Sequence, residues 1–322
     1  MTHTDRLNKK PVDESSGSFA KISPTAKLVA YFRKFSDIPF ATDVSRIIGA
    51  KDLTKKLCPD EAMLADLTKF AAPALEARYK SMLSAVKKTG INQVLELASG
   101  LSFRGLLMTD DPSIIYIESD LPELTEEKKK IIQQVERMGQ AMDRPNLFLE
   151  PANALSLQDL QIATRHFDHR KPIAIIHEGL YMYLSRAEKE TLADNIRQLL
   201  QTFGGVWLTP DFILDEEFAK LLDQPKAAAM MTHMTKVITD LTGRNLQQDQ
   251  FKDESDLHGF FERAGFKIKA TPQIDGTYQL SSLDKAKMST EQQDLLREAL
   301  RLWILELNFQ PSSETRESGL LV

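Results

Sequence analysis

The residues best placed to do chemistry lie in one run, Val94-Leu-Glu-Leu-Ala-Ser-Gly-Leu-Ser-Phe-Arg-Gly105. A short apolar segment ends in a turn that holds Gly100. A glycine directly after a buried strand lets backbone approach a ligand that any side chain would hold off. Glu96 stands two residues after Val94 on the same strand face. A carboxylate there is costly to bury alone, so it is either a ligand group or a capped residue that reaches solvent. About 20 residues beyond such a turn, a carboxylate ending the next strand can accept from both ribose hydroxyls. Asp120 has that spacing from Gly100 and is favoured; Glu118 competes, because the end of the strand decides which one reaches. A pyrophosphate cradle would need the three glycines of G-x-G-x-x-G, and here Ala98, Gly100 and Phe103 occupy that frame. A sulfonium amino acid joined to a nucleoside carries no phosphate and needs no such cradle. S-adenosylmethionine is a ligand of that kind.

These residues need a scaffold that brings strand ends together. From Ile91 short apolar runs alternate with amphipathic stretches: Gln93–Ser99, Ile114–Glu118, Asn146–Pro151, Ile173–Glu178 and Val206–Thr209 read as buried strands. Between them Ile131, Ile132, Val135 and Met138 share one helical face, and Ser185-Arg-Ala-Glu188 is a capping box that opens another helix. Strands separated by helices imply right-handed crossovers and a largely parallel sheet. Phe266–Ala270 and Tyr278–Ser281 are expected to close the sheet as two further strands. Thr290-Glu-Gln-Gln293 is expected to cap a last helix that runs through Leu295, Leu296, Trp303 and Leu305. Before Ile91 the periodicity is helical, with breaks expected around Pro39, Pro59 and Pro73. The chain thus divides into a disordered lead-in (1–20), an N-terminal helical cap (21–90), a core (91–285), a C-terminal helix (286–310) and a loose tail (311–322).

Bulk properties narrow the function classes. With 322 residues, 42% hydrophobic and 27% charged, the chain can bury roughly 75% of its unfolded surface and needs no staple. Cys58 is the only cysteine, so an intramolecular disulfide and Cys-rich zinc patterns are excluded, and no metal is expected. A net charge of −5 argues against nucleic acid as the main partner. No apolar run approaches the roughly 20 residues of a membrane span, and Met1–Lys10 lacks the apolar segment of a secretory leader. No membrane association and a cytoplasmic location are therefore expected.

Four blocks carry a resemblance: Ile22-Ser-Pro-Thr-Ala26 with Ser36-Asp-Ile-Pro-Phe40; Val94 to Gly105; Glu118-Ser-Asp-Leu-Pro122 followed by Lys128; and Glu178-Gly-Leu-Tyr-Met-Tyr-Leu184. In this order and spacing, from about residue 20 to 283, the chain resembles the leucine carboxyl methyltransferase-like family, and within it the bacterial polyketide-type O-methyltransferase branch. The resemblance implies an α/β class I methyltransferase fold, Rossmann-like. Its sheet would be seven-stranded and mostly parallel, its last strand pair antiparallel, under an N-terminal helical cap. It also implies S-adenosylmethionine as cofactor. Glu96, Ala98 and Gly100 would line its methionine end and Asp120 would hold its ribose. Asn153, with Ala154 beside it, would take the adenine-side place where an acidic residue is more usual. Glu178 would face the methionine ammonium and Arg78 its carboxylate, a bidentate task that suits a guanidinium; the alternative for Arg78 is a surface helix arginine. Family members commonly carry an acidic residue after Gly-Leu in the first loop. Ser102 stands there instead, which suits the polyketide-type branch and weakens transfer of the leucine-carboxylate specificity.

Methyl transfer from a sulfonium is an in-line displacement that depends on positioning. A carboxylate acceptor needs no base, whereas a hydroxyl of high pKa needs one within hydrogen-bond reach. The candidates are His177, Tyr181, Tyr183, Asp211 and His233, none of which stands out. His177 should point away from Glu178 and pack, and both tyrosines could equally pack beneath the cap. Met230-Met-Thr-His-Met234 offers either an adaptable apolar pocket or an ordinary helix face. The expected partner is a small-molecule methyl acceptor. The alternatives are a protein C-terminal carboxyl group and a catalytically inactive cofactor-binding or interaction protein, for which the last helix and polar ends could form a homodimer surface.

Overall fold

A computed structural model describes residues 23–139, 144–212, 214–216, 225–244 and 248–308. The lead-in (1–20) and tail (311–322) expected from sequence lie outside the described residues. The first helices are α1 (Ser23–Arg33), α2 (Ala41–Ile47) and α3 (Ala50–Leu57), followed by the 29-residue α4 (Glu61–Thr89). Asp60 caps α4 by accepting from the amides of Ala62 and Met63, and Gly90 ends it in the left-handed region. Pro39 and Pro59 fall in breaks, as expected, but Pro73 lies inside continuous α4. A proline there removes one hydrogen bond and costs about 3 kcal/mol. Burial of Leu64, Leu67, Tyr79, Met82 and Val86 on either side of it offsets that cost.

The remaining elements are β1 (Gln93–Leu97), α5 (Arg104–Met108), β2 (Ile115–Asp120), α6 (Pro122–Arg137), β3 (Leu147–Pro151), α7 (Leu157–Ala163) and β4 (Ile173–His177). They continue with α8 (Arg186–Phe203), β5 (Gly205–Thr209), α9 (Pro225–Thr242), α10 (Glu254–Arg263), β6 (Phe266–Pro272), α11 (Ser281–Ala286), α12 (Thr290–Ala299) and β7 (Arg301–Leu307). The seven strands form one sheet in the order β3-β2-β1-β4-β5-β7-β6. All pairs are parallel except those of β7, which runs antiparallel to both β5 and β6.

Strand alternation divides the core between the two faces of the sheet. Leu95, Ile117, Ile175, Trp207 and Leu305 pack on one face with α8 and α10. Val94, Tyr116, Ile176, Leu208 and Leu302 pack on the other with Met82 and Val86 of α4. A parallel sheet covered on both faces reads as near-continuous apolar runs, and these strands do.

The C-terminal part corrects the sequence reading. Tyr278–Ser281 is not a strand, and the helix expected to run from 286 through Trp303 and Leu305 stops at Ala299. The seventh strand is Arg301–Leu307, so the sheet domain extends past 285. Leu302 joins the core on one face while Trp303 and Leu305 join it on the other. That is a two-residue period, short enough to be mistaken for a continuing helix. The cap of α12 is also one residue earlier than expected: Ser289 and Gln292 form the capping box. Among the described residues, no helix is long and apolar enough to cross a membrane.

Candidate functional site

In such a sheet the crevice lies beyond the carboxyl ends of the strands, where crossovers from two neighbouring strands depart to opposite sides. Here β1 leads towards β2 and β4 towards β5, so the crevice opens between the loops after β1 and β4. A cavity of about 680 Å³ occupies that place, between the strand ends and helices α1, α4, α9 and α12.

The β1 loop is held by backbone geometry and by Asp120. Ala98 (φ 47°) and Gly100 (φ 52°) both lie in the left-handed region. For a residue with a Cβ, such as Ala98, that region costs about 1–2 kcal/mol. The Gly100 amide donates to Asp120 Oδ2 at 2.7 Å and the Leu121 amide to Oδ1 at 2.8 Å. Burial raises the Asp120 carboxyl from its ordinary value, and these two amides offset only part of that. Asp120, Ala98, Gly100, Asn153 and Ala154 all line the cavity. The Asn153 side-chain oxygen accepts from the Leu155 amide at 3.0 Å, which closes a tight turn after β3.

Glu118, the competitor for the ribose role, is not among the lining residues. It is buried behind the loop, where Lys128 Nζ lies 2.6 Å from Oε2 and the Gly105 amide donates to Oε1 at 2.9 Å. Lys128 also donates to Ser99 Oγ at 3.0 Å. A Cβ on Gly105 would meet Glu118 Oε1 at 2.6 Å. That glycine therefore lets α5 sit against β2, a role it performs outside the G-x-G-x-x-G frame.

At the β4 end lies a buried ionic cluster. Arg33 Nη2 is 2.6 Å from Glu178 Oε1, and Arg104 Nη2 is 2.9 Å from Oε2. Arg104 also pairs with Glu96, whose other oxygen accepts from the Tyr116 hydroxyl at 2.7 Å. Arg78 binds Asp211 at 2.8 Å, and its Nε stands 3.7 Å from Glu178, beyond hydrogen-bond reach. Burial would raise the Glu178 carboxyl, but Arg33, Arg78 and Arg104 hold it below its ordinary value. Formal charges balance, with Arg33, Arg78 and Arg104 against Glu96, Glu178 and Asp211. The Nε–H groups of Arg33 and Arg78 are buried donors without a hydrogen-bond acceptor among the described residues. Glu96, Glu178, Arg33 and Arg78 all line the cavity.

Of the candidate bases, only Tyr183 lines the cavity. Its hydroxyl donates to Thr25 Oγ1 at 3.3 Å, and burial pushes its pKa up. Tyr181 is packed among Trp207, Phe212 and Phe251 and donates to the Lys189 carbonyl. His233 lies on α9 but is not among the lining residues; its neighbours Met231 and Met234 are. His177 is buried against Asp211, with Nδ1 to Oδ2 at 2.9 Å. Asp211 also accepts from the amides of Gly179, Leu180 and Tyr181. Burial opposes its charge, but the His177 hydrogen bond and these partners hold its carboxyl well below the ordinary range. Asp211 is thus a loop anchor and a poor base. Arg33 and Arg104 are not legible as site residues from the sequence, although Arg104 sits inside the Val94–Gly105 run. Their only local signal is an arginine within an otherwise apolar or tightly turning segment.

The family model described as leucine carboxyl methyltransferase matches residues 50–197, which bears out the resemblance to that family drawn from the sequence. That stretch runs from α3 into α8 and contains the β1 loop, Asp120 and Glu178. A protein of Frankia alni, named provisionally as an S-adenosyl-L-methionine-dependent methyltransferase, is 26% identical over 193 residues. That match covers 58% of this chain and 61% of the relative. A similarly named protein of Mycobacterium sp. (strain JLS) is 29% identical over 206 residues, covering 58% of this chain and 66% of the relative. The chain thus spans slightly less than two thirds of either relative. Among solved structures, a DUF574 family protein from Streptomyces avermitilis superposes with a TM-score of 0.55 at 12% identity, covering 88% of this chain and 97% of that one. A protein from Thermobifida fusca titled as a provisional methyltransferase gives 0.53 at 13% identity, covering 92% and 100%. The fold is that of class I methyltransferases.

Proposed function

We propose that the protein transfers a methyl group from S-adenosylmethionine to an oxygen, either hydroxyl or carboxylate, of a small molecule. The observation that carries this reading is the cavity at the sheet's crossover point. It joins a phosphate-free turn with a carboxylate to a charge-balanced ionic cluster with spare donors. The residues fit the donor. Asp120 would accept from the ribose hydroxyls, and Asn153 and Ala154 would border the adenine. The spare Nε–H groups of Arg33 and Arg78 would take the methionine carboxylate, while Glu178 would accept from its ammonium. A zwitterion adds no net charge to a cluster that is already neutral, so it can enter by exchanging partners.

The donor supplies an electrophilic methyl carbon. The protein supplies orientation and a shielded cavity, and orientation alone contributes up to about 7–11 kcal/mol in well-aligned systems. The relatives' names support the donor, and the family's description makes a leucine carboxyl group a competing acceptor.

Calorimetric titration tests this reading. S-adenosylmethionine and S-adenosylhomocysteine should both bind, and Asp120→Ala should weaken binding by about tenfold or more, the loss of one or two charge-assisted hydrogen bonds. Absence of binding to the wild-type protein at submillimolar concentration would exclude the donor.

A further inference from the structure

A second cavity, of about 510 Å³, lies apart from the first, and the two share no lining residue. It is a groove between the C-terminal half of α4 and the sheet face made by β5, β7 and β6. Helix positions three or four apart share one face. Along α4, Ala71, Ala74 and Arg78 line the first cavity, and Ser81, Ala85 and Lys88 continue the same stripe into the groove. The floor is aliphatic, with Val206 and Leu208 of β5 beside Leu302 and Ile304 of β7. From Leu302 to Glu306 it runs roughly 14 Å at the rise of an antiparallel strand.

Two observations define what the groove can hold. The first is its charge. The lining carries two cations and two anions, already paired: Lys88 Nζ lies 3.3 Å from Asp275 Oδ2, and Lys269 Nζ lies 3.8 Å from Glu306 Oε1. A charged occupant would have to break one of these pairs, whereas a neutral one leaves both in place.

The second is Gln273, at the end of the groove where β6 stops and β7 begins. It lines the groove and is only 1% exposed. Its backbone amide donates to the Leu300 carbonyl at 2.9 Å, and its Nε2 donates to the Arg301 carbonyl at 2.8 Å. Its Oε1 is buried and accepts from no donor among the described residues. The hydroxyls of Tyr278 and Ser81, which also line the groove, are spent on the carbonyls of Ala77 and Arg78. A buried acceptor left unpaired carries a desolvation cost, which a ligand donor reaching it would recover.

We propose that this groove is a second binding site, for a neutral aliphatic molecule whose one polar end is a hydroxyl. The hydroxyl donates to Gln273 Oε1. The chain lies along β7 over Leu302 and Ile304, with its far end towards Ile91 and Gly205. This site does not depend on the methyl-donor reading, since it draws on none of the same residues.

The test uses the whole chain and 1-octanol carrying a photoreactive diazirine near its chain end. After irradiation, mass spectrometry should place label on the segments around Ile91 and Ile304, and unlabelled 1-octanol should suppress it. The methyl ether of 1-octanol keeps the chain but has no donor, and octanoate replaces the hydroxyl by a charge. Each should compete about tenfold less well than 1-octanol, through loss of one hydrogen bond to a buried acceptor or burial of a charge without a partner. Ala85→Trp, which fills the groove between α4 and β7, should remove this label, whereas Leu296→Asp in the wall of the first cavity should leave it. Circular dichroism checks that both variants fold, and the comparison of alcohol with ether in the wild-type protein needs no variant. Label confined to α9 and α12 of the first cavity, or no label above background, would overturn the site. Equal competition by alcohol and ether would overturn the role of Gln273 and, with it, the proposed ligand class.

Discussion

Asp120 and Glu178 face the same cavity, yet their surroundings push their carboxyls in opposite directions. Asp120 gains only two amide donors for its burial, and its pKa is raised. Glu178 gains Arg33, Arg78 and Arg104, and its pKa is lowered; Asp211 is lowered as well, by His177 and its other partners. A lowered carboxyl contributes stability that is fully present above the ordinary value, about pH 4, and is lost as pH falls through the lower folded value. A raised carboxyl has the opposite sign, because its protonation on acidification relieves the cost of burying the charge. Acidification should therefore neutralise Asp120 first and remove the proposed ribose acceptor while Glu178 and Asp211 still hold the loops. Titrations of S-adenosylhomocysteine over a pH series, run beside circular dichroism, should show binding weakening at a higher pH than unfolding. Simultaneous loss of both would contradict this order, and Asp120→Asn should weaken binding and flatten its pH dependence.

At the scale of elements, site geometry depends on how closely strands and helices approach. Gly205 opens β5 with φ 113°, and a Cβ there would lie 1.9 Å from the Ile173 carbonyl oxygen at the start of β4. Gly205→Ala should destabilise the protein by more than the about 1–3 kcal/mol of backbone strain alone, because the β4–β5 pairing must also shift. Chemical denaturation would register this as a lower midpoint, and an unchanged midpoint would mean that the strand end is loose. The β1 loop illustrates how far an element is legible. Its turn and the spacing to Asp120 could be read directly, since both follow from a local strand–turn–helix pattern. The separation of Asp120 from Glu118 could not be read, because it depends on where Lys128 of α6 comes to rest. The seventh strand is illegible for a related reason: seven residues with two-residue alternation, placed after a real helix, acquire their identity only by pairing with β5 and β6.

At the scale of the whole molecule, the cavity is assembled from parts far apart in the chain, with Arg33, Arg78, Arg104 and Glu178 meeting over a sequence span of 145 residues. A ligand that binds only this assembled state stabilises it by mass action, by about 2.7 kcal/mol at a hundredfold excess over Kd. S-adenosylhomocysteine should therefore raise the thermal midpoint by several degrees in a concentration-dependent scan, and the shift should shrink in Asp120→Ala. By itself the sequence determined the alternation of strands and helices, the mostly parallel sheet, and the turn with its carboxylate 20 residues on. All of these are set by local periodicity and by backbone conformations that few residues tolerate. Only the tertiary structure decided which charges neutralise one another, which carboxylate faces the cavity, and which tyrosine and methionines line it. The Val94–Gly105 turn stays at the centre of the site, but the site is completed by arginines and apolar faces from remote helices. Ion pairing and burial are properties of position in space, and the spacing of residues along the chain does not encode them.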